Sequence, residues 1–297
     1  MNITIVGPGA IGSLWAIKLL QAGHNVSFWG RSANNSMELS LDKQASLSFS
    51  NHNIEKLSES DLVIFTVKAW QVEEATTPLL QHLDPDTILM FLHNGMGAVD
   101  QIATQIDAHP VVLATTTQAA FKPDRNNVSH TGIGQTQLGT FNLKGQQCTF
   151  LVDVLEHALP TVSWNPEIKT ALWTKLAINC AINPLTGLEQ ITNGELVDQR
   201  FSEVLSSIIR EITQVMLAEG ITCSFDELET SVNKVIQATA KNNSSMKQDM
   251  FYQRKTEIDF ITGHLIKTAL KHQIDVPVNQ KLFDQVKERE NSWNQQD

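Results

Sequence analysis

Lysine and asparagine recur at Lys175, Asn179 and Asn183 inside a stretch, residues 171–184, that is otherwise almost wholly apolar. Leu172, Trp173, Leu176, Ala177, Ile178, Cys180, Ala181 and Ile182 surround them. A helix apolar nearly all round is a buried helix. The i, i+4, i+8 spacing puts one ammonium and two amides on a single face. Burying such groups without partners costs about 2–7 kcal/mol each, and more for the charge. Two readings follow. The stripe faces bulk water, or it lines a cleft that accepts a polar, anionic ligand. Pro184 has no N–H to give and predicts the end of this helix.

A second concentration of chemistry sits at the N-terminus. An apolar strand, residues 2–6, runs straight into Gly7-Pro8-Gly9-Ala10-Ile11-Gly12, then a helical pattern closed by Gly23, then a second strand at 25–29. Strand, G-x-G-x-x-G, helix and strand within one short unit is the context in which the motif reports dinucleotide binding. Gly7 permits the tight turn, Gly9 lets the backbone approach a pyrophosphate, and Gly12 lets helix pack on strand. The helix N-terminus then faces the phosphates. An NAD-type unit carries an acid at the end of its second strand for the ribose 2′-OH. This chain has Gly30-Arg31-Ser32 instead. Arg31 can fork onto a 2′-phosphate, so the expected cofactor is NADP(H).

The elements that must position these groups follow a pattern. Near-continuous apolar runs at 61–67 and 87–92 read as parallel strands covered on both faces. They end in Lys68-Ala69-Trp70 and in His93-Asn94-Gly95-Met96-Gly97. A third run at 111–114 leads into polar residues and on to Ala119-Ala120. Open α/β sheets bind ligands just past the carboxyl ends of their strands, which singles out Lys68 and Asn94. Residues 33–60 are polar and give no clear pattern, 126–139 reads as a hairpin or edge strands, 149–159 as a helix and 161–164 as a closing strand. After Pro166 strand-like runs stop, and helical patterns at 200–219, 225–239 and 257–271 take over. A domain boundary is placed at 165–170. Within the helical part, Asn193-Gly194-Glu195 reads as a turn, Asn242-Asn243-Ser244-Ser245 as a break rich in small hydrogen-bonding groups, and Glu257 as the opening of a helix.

Composition narrows the class. The chain has 297 residues, of which 41% are hydrophobic and 18% charged, with a net charge of −10, which argues against a general nucleic-acid or membrane-surface binder. Cys148, Cys180 and Cys223 form no C-x-x-C, which suits free thiols in a reducing, cytoplasmic compartment. No leader or spanning run of apolar residues is read, and the nine histidines show no metal-ligand spacing.

Together these motifs give a resemblance. The opening GPGAIG, Arg31, KAWQ at 68–71, HNGMG at 93–97, LWTKLA at 172–177, Asn179-Cys180, Asn183-Pro184-Leu185-Thr186, Asn193-Gly194-Glu195, Ser244-Ser245-Met246 and Thr256-Glu257-Ile258-Asp259 make the chain similar, nearly end to end, to the ketopantoate reductase (2-dehydropantoate 2-reductase) family. The resemblance implies an α/β Rossmann-type N-terminal domain, residues 1–167, that binds NADP, followed by an all-α C-terminal domain, residues 168–297, for substrate and catalysis, with the active site between them. It implies NADPH-dependent reduction of 2-dehydropantoate to (R)-pantoate, a step toward pantothenate and coenzyme A. Lys175 would be the proton donor, with Glu257 beside the reacting centre. Asn179, Asn183, Asn193, Asn242, Ser244 and Ser245 would join Lys175 around the substrate. Gly7, Pro8, Gly9, Ala10, Ile11, Gly12, Arg31, Lys68, Asn94, Ala120 and Glu257 would hold the cofactor. Two alternatives stay open: another short hydroxy-acid or opine-type dehydrogenase, and an NADP(H)-binding sensor without turnover. A sensor would need neither Lys175 nor Glu257.

Overall fold

The computed structural model describes residues 1–32 and 34–293. The chain divides into two compact units. One comprises Met1–His93 and Ala98–Ile168; the other comprises Asn94–Gly97 and Lys169–Asp297.

The first unit is a sheet with covering helices. Its strands in chain order are β1 (Asn2–Val6), β2 (Asn25–Trp29), β3 (Ser36–Leu41), β4 (Leu47–Asn51), β5 (Leu62–Phe65), β6 (Ile88–Phe91), β7 (Val111–Thr116), β8 (Ala119–Phe121), β9 (Asn127–Gly132), β10 (Thr136–Thr140) and β11 (Val162–Trp164). The spatial order is β11-β10-β7-β6-β5-β1-β2-β4-β3-β9-β8. From β7 to β4 every neighbouring pair is parallel. Strands β5 and β6 are buried at every residue, as a doubly covered parallel sheet demands. The chain steps from β1 to β2 on one side and reaches β5 on the other, so strand order reverses at β1. Helix α1 (Ala10–Gln21) links β1 to β2, followed by short helices α2 (Ile54–Ser58), α3 (Val72–Thr76), α4 (Ala98–Gln101) and α5 (Ala103–Ile106), then α6 (Leu151–Ala158). Leu14, Trp15, Ile17 and Leu19 of α1 pack with Ile3, Ile5, Phe28 and Ile64 in one core.

The second unit is helical among its described residues: α7 (Ile168–Glu189, whose first residue belongs to the sheet unit), α8 (Ser202–Ala218), α9 (Phe225–Ala238), α10 (Ser245–Phe251), α11 (Thr262–Lys271) and α12 (Pro277–Trp293). Leu205, Ile208, Ile209, Ile212, Val215 and Met216 of α8 are the i, i+3, i+4 positions of its sequence, and all are buried. Helix α9 starts at a capping box in which Ser224 accepts from the Glu227 N–H and Glu227 accepts from the Ser224 N–H. The first turn of α12 is satisfied from another element: Glu211 of α8 accepts from the N–H groups of Val278 and Asn279.

Two expectations need correction. Pro184 does not end its helix; α7 runs through it to Glu189. The residues on either side of the proline, from Trp173 to Leu185, are part of the helical core. Thr186 donates its hydroxyl to the Ile182 carbonyl at 2.8 Å, with the Asn183 carbonyl at 3.2 Å. Burial of the helix on both sides of the proline offsets the cost of about 3 kcal/mol that an internal proline carries. The helical pattern at 257–271 does not start at Glu257: a single 3-10 turn, Ile258–Phe260, precedes α11. Residues 33–60, which gave no pattern, contribute β3, β4 and α2. No helix among the described residues is long and apolar enough to cross a membrane.

Candidate functional site

In the sheet unit, register aligns the strand ends. Val6 pairs with Trp29 and with Phe65, and Phe65 pairs with Phe91. The turn at residues 7–12, the bend at Arg31 and the segment leading to Lys68 therefore leave the same edge of the sheet. Gly7 has φ +100°, a left-handed geometry that favours glycine. A Cβ on Gly12 would lie 2.3 Å from the Gly7 carbonyl oxygen and from Thr66 Oγ1, so α1 can sit this close to β1 and β5 only with glycine there. Gly9 faces open space, with nothing within 4 Å of a Cβ built on it. Helix α1 has no side-chain cap and no acid in its first turn. Its leading N–H groups are thus left for an external acceptor, the arrangement that binds anions.

Two residues that the sequence did not single out fix this edge. Thr66 donates to the Gly7 carbonyl at 2.7 Å. Asn51, buried at the end of β4, accepts from the Gly30 N–H at 2.9 Å and donates to the carbonyls of Ser32 and Asn34 at 3.1 and 2.7 Å. It thereby clamps the bend that carries the exposed Arg31. Lys68 precedes a single 3-10 turn, Ala69–Gln71, with its N–H donating to Gln71 Oε1 at 3.3 Å. Ala120 is half-buried in β8, opposite His130.

In the helical unit, Lys175, Glu257 and Asn94 come together. Lys175 and Asn179 are half-buried on α7, and Asn183 is buried. Loss of hydration pulls the Lys175 pKa down from 10.5 to about 8, while the Glu257 carboxylate opposes the drop. Glu257, itself buried, accepts from Asn94 Nδ2 at 3.3 Å. Asn94 belongs to this unit because its segment is docked here. The Met96 N–H donates to the Phe260 carbonyl at 2.8 Å, and a Cβ on Gly95 would lie 2.4 Å from that same oxygen. Gly97 has φ +91° and approaches His264. On the far side of Glu257, Glu290 of α12 accepts from the Thr256 N–H and hydroxyl at 2.8 and 2.7 Å, and Lys287 pairs with Asp259 at 3.0 Å. The chain on either side of Glu257 is thereby tied to α12.

The remaining expected site residues fall into two groups. The Asn193 N–H donates to the Asn242 carbonyl at 3.0 Å, and Asn193 Nδ2 donates to Thr239 at 2.9 Å. Its Oδ1 is buried with no partner, an acceptor that suits a ligand hydroxyl. Ser244 is the N-cap of α10, accepting from the Lys247 N–H and bonded to Thr186 Oγ1 at 2.7 Å; its hydroxyl is committed to the fold. Ser245 and Asn242 are exposed. Cys148, Cys180 and Cys223 are free thiols, and burial pushes Cys180 up to about 12.

A sheet whose central strands are all parallel, with a glycine turn after the first of them, defines a Rossmann-type unit, here followed by a helical unit with an amine–carboxylate pair. The sequence model described as "Ketopantoate reductase PanE/ApbA" matches residues 3–142, and that for its C-terminal part matches residues 167–290. The 2-dehydropantoate 2-reductase of Vibrio cholerae serotype O1 is 53% identical over 293 residues, covering 99% of each chain. That of Escherichia coli O157:H7 is 38% identical over 297 residues, covering 99% of this chain and 96% of its own. The chain belongs to the ketopantoate reductase family. Its fold is shared by the crystal structure of a PanE/ApbA family ketopantoate reductase from Ralstonia eutropha JMP134, with TM-score 0.89 at 24% identity over 99% of this chain and 100% of that one. A D-mandelate dehydrogenase solved with NADH and anilino(oxo)acetate also shares it, with TM-score 0.90 at 23% identity over 99% and 100%.

Proposed function

We propose that this chain reduces 2-dehydropantoate to (R)-pantoate with NADPH, a step toward pantothenate and coenzyme A. The observation that carries the reading is the Lys175–Glu257 pair, placed where a 53% identical 2-dehydropantoate 2-reductase aligns along the whole chain. The sheet unit takes the cofactor, the bare Gly9 and the uncapped α1 meeting its diphosphate and Arg31 its 2′-phosphate. Lys68, Asn94 and Ala120 complete the cofactor contacts. When bound, the nicotinamide supplies the hydride that reaches C2 of the ketone.

The protein's own task is the oxygen. Negative charge grows on it as the carbonyl becomes an alkoxide. The Lys175 ammonium stabilises that charge and gives up one Nζ proton, leaving a hydroxyl and a neutral amine that solvent reprotonates. A pKa of about 8 keeps the amine mainly protonated near neutrality while easing its release of the proton. Glu257 keeps it from falling further. Asn179 and Asn183 donate to substrate oxygens from the same helix face as Lys175, the unpartnered Asn193 Oδ1 accepts from a hydroxyl, and Ser245 faces the carboxylate. Free thiols suit a reducing cytoplasm. The test is NADPH oxidation with 2-dehydropantoate, pyruvate and phenylglyoxylate, repeated with NADH. Faster turnover of 2-dehydropantoate with NADPH supports the reading. A preference for phenylglyoxylate would make the chain a mandelate-type dehydrogenase instead.

A further inference from the structure

Lys122 is a lysine that no motif contains. It follows β8 and reaches back to the glycine turn, where its Nζ donates to the Pro8 carbonyl at 2.9 Å and to Ser13 Oγ at 3.0 Å. Ser13 is fully buried in the first turn of α1 and donates to the same Pro8 carbonyl at 3.3 Å. One ammonium therefore ties the second residue of the turn to the helix that follows it.

The placement is electrostatically awkward for the protein alone. The N-terminal end of a helix is its positive pole, and a cation there is unfavourable. The first turn of α1 contains no acid to relieve it. Among the described residues Lys122 makes no ion pair; Asp124 acts on it through its field, and the Asp124 carboxylate is occupied by the N–H groups of Asn126 and Asn127 and the Asn127 amide. Partial burial lowers the ammonium's pKa. Among the described residues it donates to two acceptors, the Pro8 carbonyl and Ser13 Oγ. Gly9, next in chain to the Pro8 that this ammonium holds, keeps a bare face at which an arriving dianion would meet the helix pole.

We propose that Lys122 is a positioning residue for the cofactor's diphosphate, holding the turn in its anion-binding shape and contributing charge beside it. The inference rests on the dinucleotide reading of the glycine turn. It is tested by calorimetric titration of wild type, Lys122→Met and Lys122→Arg with NADPH, with ADP-ribose, which carries the diphosphate but no nicotinamide, and with adenosine 2′-phosphate, which carries no diphosphate. Lys122→Met should weaken NADPH and ADP-ribose by about tenfold or more, as loss of a charge-assisted contact does, and leave adenosine 2′-phosphate unchanged. Lys122→Arg should restore most of the binding. If Lys122→Met does not fold, Lys122→Gln, which keeps a donor without the charge, carries the same expectations. Unchanged affinity for ADP-ribose in either neutral variant overturns the proposal. So does equal weakening of all three ligands alongside a lower melting temperature, the mark of a purely structural lysine. Failure of wild type to bind ADP-ribose at all would reject the dinucleotide reading itself.

Discussion

Asn94 Nδ2 donates to Glu257 Oε2 across 163 positions of sequence, at 3.3 Å. The bond reaches the carboxylate whose charge opposes the downward drift of the Lys175 pKa. Asn94 is expected at the cofactor because it follows a strand; the structure adds a bond from it to Glu257. Asn94→Ala should therefore lower kcat through Glu257 as well as raise the apparent NADPH constant, with thermal unfolding moved by only a few degrees. A normal kcat would leave Asn94 as a cofactor contact alone.

The pH profile carries the sign of the same relationship. Desolvation lowers the Lys175 pKa and Glu257 raises it, the net being about 8. Activity that needs the ammonium should fall as pH rises through that value. In Glu257→Gln the raising influence is gone, so the alkaline limb of kcat/KM should move to lower pH. A limb that stays in place would show that another group controls it.

Lys175→Ala should cut kcat by about two to four decades, the range for losing a general acid and an oxyanion donor. NADPH affinity by fluorescence titration should change little. Lys175→Arg should not restore the rate, because a guanidinium releases its protons poorly and has another shape. An alanine variant that turned over within about threefold of wild type would remove the role from Lys175.

Cofactor choice should depend on Asn51 through Arg31. Arg31→Ala should weaken NADPH by about one to two decades, the worth of a hydrogen bond to a charged group, and spare NADH. Asn51→Ala leaves the Gly30 N–H and the Ser32 and Asn34 carbonyls without their partner. It should narrow the NADPH over NADH preference and cost about 1–3 kcal/mol of stability by urea unfolding. Stability lost with discrimination intact would separate the clamp from Arg31.

Acid stability should centre on Glu219, which accepts from Lys169, Lys271 and His272 at 3.1, 3.0 and 2.6 Å. Its pKa is depressed from 4.5 to about 2, chiefly by the His272 bond. A depressed carboxylate stabilises the fold above its unfolded pKa and loses that contribution as pH falls through the folded one. Both lysines are largely exposed, which discounts the effect to about 1–2 kcal/mol. Glu219→Gln should be less stable than wild type at pH 7, and the gap should close between about pH 4.5 and pH 2. A gap independent of pH would mean packing, not charge.

What was legible in the sequence was local. The glycine turn, β1, α1 and β2 lie within one short unit, and the stripe of Lys175, Asn179 and Asn183 needs only helical spacing. What stayed hidden depends on partners far along the chain. Thr66 meets Gly7 across 59 positions, Lys122 meets Pro8 across 114, and Glu290 meets Thr256 across 34. Nothing in the flanking residues of any of them announces the pairing. Strands β3 and β4 lie toward one edge of the sheet; they do alternate apolar and polar residues, Met37-Leu39-Leu41 and Leu47-Phe49, but such short runs inside a polar stretch repeat the signal too few times to stand out. Pro184 misled for the opposite reason: a strong local signal was outweighed by burial.

The docking of Asn94–Gly97 onto Phe260 and His264 also sets an order of events during synthesis. This segment leaves the ribosome with the strands that flank it, but its backbone partner, the Phe260 carbonyl, is translated some 160 residues later. At about 5–20 residues per second that is a wait on the order of ten seconds. During it the sheet can assemble while Asn94 has no Glu257 to bond. A chain interrupted before residue 257 would hold the glycine turn and Lys175 but lack the carboxylate that tunes the amine, so the glycine turn is made long before Lys175 has its partner.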